Sequence, residues 1–149
     1  MPRIERTAEI VWEGNVARGS GHISAGGGAF SELPFSLPAR IGKPSEKTSP
    51  EELLAAAHGG CLTMSLASEL TQDGTPPTRL GTTCLIVMAE VEGEGHQIVG
   101  SQVTLTIDVD GADEDAIAAA IERADASCPF STLLRKAGVE VTVSRASEV

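Results

Sequence analysis

Between Glu52 and Glu69 the chain carries no Asp, Glu, Lys or Arg. The segment in front of it, Ser49-Pro50-Glu51-Glu52, reads as a helix start. Ser49 suits the N-cap and pairs with Glu52 in a capping box, while Pro50 fills the first helical position, where a missing N–H costs nothing. Two carboxylates in the first turn also complement the helix dipole. The spacing predicts a helix from there to about Leu70, stopped by Asp73-Gly74-Thr75-Pro76-Pro77. A helix without a charged face must be covered on all sides. One subunit of 149 residues has difficulty wrapping it alone. A homodimer interface is the simpler cover.

The rest of the chain reads as strands and shorter helices. Residues 6–12 and 16–25 form a predicted hairpin about Glu13-Gly14-Asn15, broken by Gly26-Gly27-Gly28. Residues 35–40 are expected to be extended and residues 41–47 a polar loop. Residues 83–91 pair through Gly93-Glu94-Gly95 with 98–109, where Val103, Leu105, Ile107 and Val109 alternate with polar residues. Residues 113–127 carry the helical stripe Ile117, Ala120, Ile121, Ala124, closed by Cys128. Pro129 ends that helix, because the residue before proline avoids the α region. It also starts a second short helix over 130–136. Val139, Val141 and Val143 mark a last strand. The order gives an α+β domain with mostly antiparallel strands, read as one domain over 1–149.

Lys and Arg number 11 against 21 Asp and Glu, a net charge of −10. That balance excludes a nucleic-acid binder, which needs a basic face, and disfavours an anionic membrane surface. The uncharged segment also fails as a membrane span, because His58, Gly59, Gly60, Thr63 and Ser65 interrupt it. Met1-Pro2-Arg3-Ile4-Glu5-Arg6 has no apolar core of the signal-peptide kind, so a cytoplasmic protein is expected. Three cysteines without a CxxC do not make a disulfide scaffold.

Those cysteines divide by setting. Cys84 sits in a strand beside Leu85 and Ile86 and reads as packing. Cys61 lies within the uncharged helix, where a small core residue is the plain alternative to chemistry. Cys128 either closes the preceding stripe or caps the next helix, a position that lowers a thiol pKa. His58, three residues before Cys61, shares its face and reads as a hydrogen-bonded core histidine, since one HxxC is a weak metal signal. No G-x-S-x-G occurs, and Gly26-Gly27-Gly28 lacks the Lys-Ser/Thr of a phosphate loop.

The run Ser49-Pro50-Glu51-Glu52-Leu53-Leu54-Ala55-Ala56-Ala57-His58-Gly59-Gly60-Cys61, with Met64 after it, resembles the first cysteine motif of the OsmC/Ohr family. This is the family of osmotically inducible protein C and the organic hydroperoxide resistance proteins. Ser127-Cys128-Pro129-Phe130-Ser131 resembles its second motif, and Trp12-Glu13-Gly14 with Arg18-Gly19 fits the OsmC branch. Gly59-Gly60 and Phe130 depart from the pattern and bear on pocket shape. The resemblance implies an intertwined homodimer, with antiparallel sheets around long buried central helices. It implies a thiol-dependent peroxidase for organic hydroperoxides, with Cys61 as the attacking thiolate and Cys128 as the resolving thiol. An external dithiol, lipoyl-type among the options, would reduce the disulfide. No metal, haem or flavin is implied. The family's Arg and Glu fall on Arg40 and Glu51, with Arg18 a second candidate for the arginine. Phe35, Leu62, Met64 and Phe130 are the apolar candidates for the substrate pocket.

The physics of that reading is simple. A free thiol of pKa about 8.5 is only about 3% thiolate at pH 7, and burial raises the pKa further. An arginine about 4 Å away offers about 4 kcal/mol at an effective dielectric near 20, or about 3 pKa units. It would also hold the oxygen that gains charge as the O–O bond breaks. Glu51 and Cys61 are separated by about 15 Å of rise on one straight helix. Either the helix breaks near Gly59-Gly60, or Glu51 serves the Cys61 of another subunit. A redox-sensing or ligand-binding dimer with little turnover, and a structural domain whose thiols only pack, are the competing readings.

Overall fold

A computed structural model of the chain describes residues 2–146. Two compact units divide between Leu53 and Leu54.

The first unit is built on a three-stranded antiparallel sheet of β1 (Ala8–Glu13), β2 (Ser20–Ala25) and β3 (Leu33–Phe35), in that order. The predicted hairpin is there, with its second strand beginning later, at Ser20. Residues 35–40 are not the extended piece expected. After β3 the chain turns into the short helix α1 (Leu37–Ile41). Ser36 is its N-cap and accepts a hydrogen bond from the Ala39 N–H at 3.4 Å. Pro38 is compatible with a helix at this position because the first turn asks for no N–H donor.

The helix α2 (Pro50–Gln72) begins in the first unit and continues through the second. The Ser49 hydroxyl accepts from the Glu52 N–H at 3.1 Å, the forward half of the capping box. The helix passes through Gly59 and Gly60 without a break. Its core face is His58, Gly59, Leu62, Leu66 and Leu70. The three leucines are fully buried and contribute about 2 kcal/mol each in apolar burial. Its other face is open: Ala56, Gly60, Met64 and Ser68, one turn apart, are exposed.

In the second unit β4 (Arg79–Val91) and β5 (Gly95–Asp108) form a long antiparallel ribbon. The last strand, β6 (Glu140–Arg145), lies parallel to β5, the exception to the antiparallel expectation. The helices α3 (Glu114–Ser127) and α4 (Pro129–Lys136) carry the chain between them, which is the crossover a parallel pair requires. Asp113 caps α3, accepting from the Ala116 N–H at 2.8 Å. Leu62, Leu66 and Leu70 pack with Val103, Leu105, Ala120, Ala124 and Cys128 into one core. Among the described residues, no helix is long and apolar enough to cross a membrane.

Candidate functional site

Cys61 and Cys128 are brought together. Cys128 closes α3 and caps α4, is fully buried, and makes no side-chain capping bond. Its thiol is therefore free for Cys61, which packs against the same core, and the Cys128 thiol acts on that of Cys61. Neither is in a disulfide. Burial pushes the Cys61 thiol up, and the Cys128 thiol adds to that. Two donors pull the other way, the backbone N–H of Phe130 and the hydroxyl of Ser65. The net direction is still upward. Among the described residues, no arginine or lysine is one of the groups that shift Cys61.

The local sequence explains this arrangement. Phe130 lies in the first turn of α4, where an N–H has no intrahelical acceptor, and that N–H acts to favour the Cys61 thiolate. The N-terminal turn of α4, expected to act on Cys128, thus acts on Cys61. Ser65 sits one turn after Cys61 on α2, a spacing that places it on the same face. Its polarity within an apolar helix was the available signal. The Phe130 ring packs against the core.

Arg40 and Glu51 form the other element, entirely within the first unit. Arg40 donates from Nε to both Glu51 carboxylate oxygens, at 2.9 and 3.2 Å, and from Nη2 to Oε1 at 2.6 Å. Burial works to raise the Glu51 pKa, but the Arg40 hydrogen bonds and charge outweigh it and hold the carboxyl below its usual value. The α1 turn, unrecognised in the sequence, aims Arg40 at the first turn of α2. Arg40 also borders a hollow of about 330 Å³ with Trp12, Val16, Phe35, Leu37 and Pro50. The Trp12 and Phe35 rings meet there at 5.5 Å, inclined by 51°. Arg18 lies in the β1–β2 turn, its backbone N–H bonded to Asn15 Oδ1, and does not line this hollow.

The remaining pocket candidates separate. Phe35 lines the hollow beside Arg40. Leu62 is fully buried in the core and presents no surface. Met64 is 75% exposed on the open face of α2. It borders a second hollow, of about 720 Å³, with Ala56, Gly60, Leu80 and Cys84 but without Cys61. Among the described residues, no cluster of His, Cys, Asp or Glu is arranged to hold a metal ion.

With both pairs placed, relatives can be compared. The OsmC family, described as OsmC-like protein, matches residues 42–144. The chain belongs to the OsmC family. "Peroxiredoxin OsmC" of Escherichia coli K12 is 31% identical to it over 132 residues, 89% of this chain and 91% of that protein. An organic hydroperoxide resistance protein OsmC from Legionella pneumophila shares its fold, with a TM-score of 0.75 at 20% identity, covering 97% of this chain and all of that one. An organic hydroperoxide resistance protein from Elizabethkingia anophelis does so with a TM-score of 0.76 at 19% identity, covering 99% of this chain and all of that one.

Proposed function

We propose that this OsmC-family chain is a two-cysteine peroxidase that reduces organic hydroperoxides to alcohols. The observation that carries the reading is the pairing of Cys61 with Cys128, the one buried and uncapped, the other within hydrogen-bonding reach of it. The name of the Escherichia coli relative, a peroxiredoxin, supports the same chemistry.

The Cys61 thiolate attacks the terminal peroxide oxygen. The O–O bond breaks, the alcohol leaves after taking a proton, and Cys61 becomes a sulfenic acid. The Cys128 sulfur then attacks the Cys61 sulfur, the S–O bond breaks, and water leaves as the disulfide forms. An external dithiol returns both thiols. Phe130 N–H and Ser65 stabilise the thiolate in part, yet the balance of groups in the chain favours the protonated form. A cation is required. Arg40, aligned by Glu51, supplies it from a second copy of the chain. Two observations support this. The α2 helix runs without a break from Glu51 past Cys61, which favours a second chain over a bend at Gly59-Gly60. Its Ala56, Gly60 and Met64 face is small, apolar and uncovered. The hollow of Trp12, Val16, Phe35 and Leu37 beside Arg40 would receive the organic group of the peroxide.

Consumption of cumene hydroperoxide in the presence of a dithiol tests the reading. Cys61→Ser is expected to lose activity by about 1,000-fold or more. Cys128→Ser is expected to reduce one equivalent and then depend on the external thiol. Equal turnover by wild type and both variants would end the peroxidase reading. Disulfide formation without turnover would favour a redox sensor instead.

A further inference from the structure

The reaction above gives no part to His58, one turn before Cys61. Its ring is fully buried and both nitrogens are engaged: Nδ1 lies 2.6 Å from Ser101 Oγ on β5, and Nε2 lies 2.8 Å from Ser131 Oγ on α4. Both serines are themselves fully buried. Burial lowers the His58 pKa, and Arg135 adds to that against the opposing pull of Asp125. The ring is therefore neutral at pH 7, with one donor and one acceptor.

The ring is part of a longer polar row. On one side Cys84 Sγ of β4 lies 3.5 Å from Ser101 Oγ and 4.0 Å from Nδ1. On the other, near Ser131, Asp125 accepts two hydrogen bonds from Arg135, at 3.0 and 2.7 Å. His58 thus ties β5 to α4 through one side chain of α2.

Ser131 stands in the first turn of α4, the turn that begins at Cys128 and sends the Phe130 N–H to Cys61. We propose that His58 is a positioning residue for the resolving step: its Nε2 bond to Ser131 holds the first turn of α4, and Cys128 with it, against the Cys61 turn of α2. The inference rests on the two-cysteine reading above. Attack by peroxide is driven chiefly by the Arg40 cation, with the Phe130 N–H a lesser contributor. Attack by the Cys128 sulfur must be aligned with the breaking S–O bond, so a displaced turn is felt mainly there.

Two amide replacements separate the two bonds. The side-chain nitrogen of asparagine overlays Nδ1 and reaches Ser101; that of glutamine overlays Nε2 and reaches Ser131. With cumene hydroperoxide, Cys61 sulfenic acid is trapped with dimedone, and disulfide formation is followed by mass under non-reducing conditions. His58→Asn is expected to slow disulfide formation about 10-fold or more and to raise trapping, while Cys61 oxidation changes by about threefold or less. His58→Gln is expected to restore disulfide formation to within about threefold of wild type. Ser131→Ala, which keeps His58, is expected to repeat the asparagine result and stands in if that variant does not fold. Equal condensation rates in the asparagine and glutamine variants, or equal slowing of both steps, would overturn the proposal. Wild type that forms no Cys61 sulfenic acid would overturn it together with the peroxidase reading. Wild-type disulfide formation matched by the asparagine variant and by Ser131→Ala would overturn this inference alone.

Discussion

The thiol pair and the ion pair of this chain are built in opposite ways. Cys61 and Cys128 meet because a core of leucine, valine and alanine draws α2, α3 and α4 together, and the thiols end up shielded and short of positive charge. Arg40 and Glu51 meet across eleven residues through a three-bond fork, at the edge of an open apolar hollow. One pair has the nucleophile but, among the described residues, no cation acting on Cys61. The other has the cation and no nucleophile. Each is stable alone, and neither is a peroxidase site alone. In the proposed reaction the two halves come from two chains.

The largest effect expected on that division is from Arg40→Ala. The about 4 kcal/mol that a guanidinium offers a thiolate translates to a loss of about 1,000-fold in the rate of Cys61 oxidation at pH 7. The loss should shrink as pH rises toward the raised thiol pKa, a recovery that stopped-flow oxidation across pH 7 to 10 would record. An unchanged rate would show that Cys61 is activated without Arg40.

Gly60→Leu strikes the junction between chains instead. A Cβ at Gly60 meets nothing in its own chain, whereas one at Gly59 comes to 3.2 Å from Cys84 Cβ. Gly60→Leu should keep the fold, because leucine is the better helix former, yet block close approach of a second helix. Sedimentation should report a weakened dimer, and peroxide turnover should fall by about 100-fold. A dimer with full activity would place the partner elsewhere.

Glu51→Gln is milder. Arg40 keeps its charge and loses its charge-assisted fork. Oxidation of Cys61 should slow by about 10-fold, with the whole effect in the oxidation step.

The smallest effect is on stability. His58 has a lowered pKa in the fold, burial being the main cause, so the unfolded chain binds its proton more readily. The stability this contributes is complete above about pH 6.5 and is lost as pH falls from there toward the folded value. Urea midpoints measured between pH 7.5 and 5 should fall in wild type and fall less steeply in His58→Gln.

Much of this was legible in the sequence because it rests on local chemistry. Ser49-Pro50-Glu51-Glu52 started α2 where expected, the alternation around Val103 and Leu105 gave β5, and Cys128-Pro129 separated α3 from α4. Pro38 misled, since proline in a first helical turn looks like a break when the N-cap, Ser36, is not recognised. The parallel pairing of β6 was not legible, because alternation sets which face is buried and not the direction of the neighbour. His58 was read as a hydrogen-bonded core residue, but its partners Ser101 and Ser131 lie 43 and 73 residues away, and nothing local points to them. Leu62 was a pocket candidate as an apolar residue, while helical rotation turns it into the core.

Subunit mixing puts the shared site to the most direct test. Cys61→Ser and Arg40→Ala are each expected to be inactive as homodimers. Refolded together in equal amounts, they should form mixed dimers in which one site has an intact Cys61 from one chain and an intact Arg40 from the other, recovering about a quarter of wild-type peroxide turnover. Mixed dimers as inactive as their parents would contradict a guanidinium contributed across the interface.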